Sequence, residues 1–92
     1  MEIDAQLTPF LDEEGHLTAF PSKRKKKLLA LTYLAGKFEP EKQYTEKEVN
    51  ALLGQWHTFG DPATLRRELY DNHFLDRKPD GSCYWLEFSP DS

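Results

Sequence analysis

Arg66 and Arg67 stand side by side in the stretch DPATLRRELYD, with Thr64 ahead of them and Tyr70 behind. A guanidinium can make two parallel bonds to guanine or clamp a phosphate, and hydroxyls on the same face add donors to either. Arg77 and Lys78 supply a second basic pair further on, and Lys23, Arg24, Lys25, Lys26 and Lys27 form a contiguous run earlier in the chain. Together these residues are the candidate nucleic-acid contacts. The charge balance argues against them: Glu68 and Asp71 offset the two arginines, and Asp76 and Asp80 offset Arg77 and Lys78. A face without net charge binds a polyanion weakly unless it is selective. The arginines therefore also fit a structural role, paired with acids such as Glu48 or Asp71.

The run at 23–27 is the stronger electrostatic signal. At the start of a helix it meets the positive end of the macrodipole, at about 0.3–1 kcal/mol per badly placed cation. Phosphate or an acidic partner would offset that penalty. So would Asp12, Glu13 and Glu14, if they lie across the turn and neutralise the run internally.

Catalysis has less support. Glu46, Glu48, Asn50, His57, Asp61 and Arg66 fall near one turn, and a histidine beside carboxylates can transfer protons. No phosphate-cradling glycine loop, HExxH motif or nucleophile elbow accompanies them. His16, His57, His73 and Cys83 lack metal-ligand spacing. The expectation is a protein that is not an enzyme and uses no metal or cofactor.

The elements that must position these residues are legible from 44 to 69. Thr45 and Glu48 form a capping box that starts a helix, and Val49, Leu52, Leu53 and Trp56 recur on one apolar stripe. Gly60 breaks the pattern, Asp61 offers a cap and Pro62 suits the first position of a second helix. Leu65 and Leu69 then face inward, with Thr64, Arg67 and Asp71 opposite and Arg66 on the flank. A turn of about four residues between the two makes a helix-turn-helix candidate.

Upstream, residues 1–6 read as a frayed tail, and Thr8 and Pro9 as the start of a short helix carrying Phe10 and Leu11. Residues 16–20 alternate as a short strand, which Pro21 ends. Ser22 is placed to cap a long helix over about 23–36, with Leu28, Leu31 and Ala35 on one face and Leu29, Tyr33 and Leu34 widening it. Downstream, KPDG at 78–81 is a strong turn signal between strands at 75–77 and 82–86. The order strand, three helices, strand, turn, strand predicts an α+β winged helix: a three-helix helix-turn-helix core, a small antiparallel sheet whose third member is the strand at Leu17, and a wing at KPDG.

With 92 residues the chain predicts one domain over 1–92, its core at about 10–88. The single cysteine, Cys83, excludes an intrachain disulfide and fits a reducing compartment. Acids stand where a signal peptide carries bases, and the apolar run at 28–35 is too short to span a bilayer. The cytoplasm is expected, with no membrane contact. The net charge of −4 counts against nonspecific polyanion binding by the whole surface. Its distribution is uneven, however, because five of the sixteen acids lie within the first fourteen residues.

The blocks FPSKRKKKLLALTYLAGKF, YTEKEVNALL, LRRELYDNHFLDR and GSCYW make the chain resemble the bacterial family named domain of unknown function 2087, over about 10–86. Members of that family often follow a helix-turn-helix regulator domain, so the resemblance implies a link to transcriptional control. Here the domain is expected to stand alone. Two functions remain open: a DNA-binding regulator, or a protein-interaction or homodimerisation module that uses the aromatic set Trp56, Phe59, Tyr84, Trp85 and Phe88. Those aromatics also suit ordinary packing of the sheet over the helices.

Overall fold

A computed structural model describes residues 5–87. Within them, three helices and an open three-stranded antiparallel sheet make an α+β fold in the order α1 (Arg24–Ala35), β1 (Gln43–Tyr44), α2 (Glu46–Gln55), α3 (Pro62–Asp71), β2 (Leu75–Arg77) and β3 (Tyr84–Leu86). A single 3₁₀ turn, Thr8–Phe10, precedes them.

The capping box starts α2 as its residues dictate. The Thr45 hydroxyl accepts from the Glu48 amide at 3.1 Å, and the Glu48 carboxylate accepts from the Thr45 amide at 2.9 Å. Val49 and Leu53 are buried, and Leu52 and Trp56 pack half-buried against the core. On α3, Asp61 caps the Thr64 amide at 3.2 Å, Pro62 takes the first turn, and Leu65 and Leu69 are fully buried. These faces meet Ala30, Leu31, Leu34 and Ala35 of α1 in one core.

The sheet runs β1-β3-β2, and its third member is not the expected strand at Leu17. Gln43 and Tyr44 take that edge, opposite Trp85 and Tyr84. Leu17 makes only isolated bridges, to Leu11 and His57. Its backbone is already committed: the Leu17 amide donates to Trp56 O at 2.7 Å, and its carbonyl accepts from the Thr58 amide at 2.9 Å. Alternation at 16–20 reported a buried Leu17 correctly but could not tell a sheet strand from a tie across the helix pair.

Other boundaries also move. The connection between α2 and α3 spans residues 56–61, longer than a four-residue turn, because His57 and Thr58 pair with Leu17 before Gly60 turns the chain at φ +66°. Lys23, not Ser22, is the N-cap of α1, and it makes no side-chain cap bond. Leu7, not Thr8, precedes the 3₁₀ turn, also without a side-chain cap bond. The core begins earlier than residue 10, since Leu7 is 2% exposed. Most of the expected frayed tail, and Phe88, lie outside the described residues.

Candidate nucleic-acid interface

At 100° per residue, the buried pair Leu65 and Leu69 sets the inner side of α3. Ala63, Thr64, Arg67, Tyr70 and Asp71 then point away from the core, and all five are exposed. Arg66 lies on one flank and Glu68 on the other. This separates two arginines that are adjacent in sequence.

Arg66 is tied down. Its guanidinium reaches Glu46 of α2 at 3.1 Å and donates to the side-chain oxygen of Asn50, leaving the side chain 18% exposed. Glu46 and Asn50 stand one turn apart on α2, so they form a two-point clamp that sequence reading missed. The signal lies in that spacing; the Glu48 carboxylate, a partner expected for the arginines, is spent on the cap. Arg67 has a looser partner, Asp71 at 3.7 Å, and its side chain is 83% exposed. A pair so open to water holds its members weakly.

Beyond the Arg66 flank, β2 presents Arg77. The register sets Arg77 opposite Tyr84, on the same face of the sheet, and Tyr84 is buried. The guanidinium therefore extends towards α3 and lies 4.7 Å from the ring centroid of Tyr70. Hydrogen bonding to Tyr70, then to Tyr84, raises its pKa above an already high value, so the charge is permanent. Arg66, Arg67, Tyr70, Arg77, Tyr84 and Glu46 line an open groove of about 590 Å³ between α3 and the hairpin. Lys78 is exposed where the turn begins, and the turn closes as its sequence requires: the Gly81 amide donates to Lys78 O, and the Ser82 amide donates to the Asp80 carboxylate. Hydrogen bonding from the Ser82 side chain, then from its amide, holds the Asp80 carboxyl below its ordinary pKa.

The basic run approaches the other flank of α3. Lys27 sits 3.9 Å from Glu68, and its ammonium lies 5.6 Å from the Phe20 ring, as Lys26 lies 5.9 Å from Phe10. Lys23, Arg24 and Lys25 are exposed. Asp12 does not neutralise the run; it pairs with His16 at 3.0 Å, and backbone bonds from His16 and Glu14 lower its pKa. No ion pair joins Glu13 or Glu14 to the run among the described residues.

The residues considered for proton transfer do other work. Glu48 completes the cap, Asp61 starts α3, and Arg66 is clamped. His57 is 6% exposed; its Nδ1–H donates to Leu53 O at 2.6 Å, and its Nε2 accepts from the Asp61 amide at 2.9 Å. That network assigns the neutral Nδ1–H tautomer and joins the end of α2 to the start of α3. Among the described residues no three His, Cys, Asp or Glu side chains gather as a metal site, and no helix is long and apolar enough to cross a membrane.

Residues 16–86 match the model of a family described as an uncharacterized protein conserved in bacteria, DUF2087. The chain belongs to this family. The DUF2087 match covers all three helices and all three strands, so the groove and both flanks of α3 fall within it. It begins just ahead of Leu17 and leaves out Leu7 and the 3₁₀ turn. Neither a curated protein nor a solved structure matches the chain.

Proposed function

We propose that this DUF2087 chain is a winged-helix domain that binds DNA in transcriptional regulation, with α3 as its recognition helix and the β2–β3 hairpin as its wing. The strand between the first two helices, the central place of β3 and the hairpin beside α3 all support that reading of the fold. The observation that carries the function is the Arg67 side chain, 83% exposed on the outward face of α3, with basic groups on both flanks. In this reading Arg67, Thr64 and Tyr70 meet base edges. Arg77, Lys78 and the residues at 23–27 hold phosphates, and Arg66 fixes the angle of α3.

Fluorescence anisotropy with random and genomic duplexes at two salt concentrations tests this. Replacing both Lys25 and Lys26 by Glu is expected to weaken binding to every sequence and to reduce the salt slope by about 1 per lost contact. Arg67→Ala is expected to relax sequence preference by about 1–3 kcal/mol at the base it reads. Parent-like binding by both variants would overturn the reading.

A protein-docking module without DNA contact is the competing reading. Trp85 supports it, half-buried on the outer sheet face between Gln43 and Asp76. Elution as a dimer that Trp85→Ala converts to monomer, with no shift on any duplex, would favour that alternative.

A further inference from the structure

A second cavity, of about 420 Å³, is built from different parts of the chain. Tyr33 of α1 and Trp56 at the end of α2 form an aromatic wall, and Asp12, Glu13 and Glu14 form a rim. The wall is held from behind: the Tyr33 hydroxyl donates to Gly15 O at 2.7 Å, and Trp56 O accepts from the Leu17 amide. An ammonium already occupies the wall. The Lys37 Nζ lies 4.0 Å from the Trp56 ring centroid and 4.4 Å from that of Tyr33. Two ring faces around one ammonium are the geometry by which proteins recognise alkylammonium ligands.

Lys37 does not satisfy the charge of this cavity. Three carboxylates and one ammonium line it, so the formal charges of the lining sum to −2. The Asp12 carboxylate is engaged by His16, whereas Glu13 and Glu14 are exposed and make no ion pair among the described residues. A monovalent amine would have to displace a tethered competitor for no added attraction. A small hydrated dication would find a wall of rings where it needs an oxygen cage. A flexible chain with several ammonium groups answers both features, since one can take the place of Lys37 while another meets the acidic rim.

We propose that this cavity binds a linear alkyl polyamine, and that Lys37 is its built-in competitor. The site shares no lining residue with the groove at α3, so it stands or falls apart from the DNA reading. The test uses the full chain, spermidine as probe, and the indole N–H resonance of Trp56, assigned by comparison with Trp85→Phe. Spermidine is expected to shift that resonance saturably, and magnesium chloride at matched ionic strength to leave it in place. Lys37→Met keeps the apolar stem and removes the competitor, so it is expected to tighten binding by about two- to fivefold. Glu13→Gln with Glu14→Gln, both on an exposed loop, is expected to weaken it by about fivefold. A shift that does not saturate, equal competition by magnesium, or parent-like affinity in either variant would overturn the proposal.

Discussion

Removing the Arg66 side chain leaves Glu46 and Asn50 facing a half-buried gap, whereas removing that of Arg67 uncovers little that was not already wet. Arg66→Ala is therefore expected to lower stability by about 1–2 kcal/mol in urea unfolding, and Arg67→Ala by less than about 0.5 kcal/mol. A similar loss from both would show that the clamp on α2 is not what holds Arg66. The sequence placed Arg66 on the flank of its helix, because helical geometry fixes direction. It did not name the partner. Glu46, Glu48 and Asn50 all lay within plausible reach, and only the angle between α2 and α3 selects among them.

At the scale of elements, the caps carry a pH dependence with a definite sign. Bonds from the Thr45 amide hold the Glu48 carboxyl below its ordinary pKa, and Thr64 does the same for Asp61. A carboxyl whose folded pKa is depressed stabilises the fold above its unfolded value, and that contribution is lost as pH falls through the lowered folded pKa. Glu48→Gln is thus expected to unfold at lower urea than the parent at neutral pH. The gap should close as pH falls through that lowered pKa, where the Glu48 side chain becomes as neutral as the glutamine. A gap of the same size at both pH values would assign the loss to packing instead. The end of α3 offers the opposite change. His73 sits at φ +66°, and the Phe74 amide donates to Leu69 O at 2.8 Å, a left-handed helix stop that glycine usually fills. His73→Gly is expected to raise stability by about 0.5–1 kcal/mol, read as a higher melting temperature. The caps of α2 and α3 and the KPDG turn were legible because each is a local bond between near neighbours, whereas Leu7 and Lys23, which stand at the cap positions expected of Thr8 and Ser22, make no side-chain cap bond. The partner of β3 was not, since Gln43 and Tyr44 form too short a strand to show a period of two. The site divided in the same way: the outward face of α3 followed from periodicity alone, while the stacking of Arg77 on Tyr70 depends on sheet register.

For the whole molecule, the segment ahead of α1 belongs to the core. Leu7 and Leu17 are both buried, and Phe10 and Leu11 pack against them in the same cluster. Leu7→Ala is expected to destabilise the chain by about 2–4 kcal/mol, close to the effect of Leu53→Ala on α2, in a denaturant titration. A value near zero would mean that the segment merely rests on the surface. The family match opens at residue 16, after Leu7, so the matched region and the packed core do not have the same edge. An expression fragment trimmed to that match would bring an uncovered apolar flank into water, and it should precipitate or expose dye-binding surface where the longer chain stays dispersed.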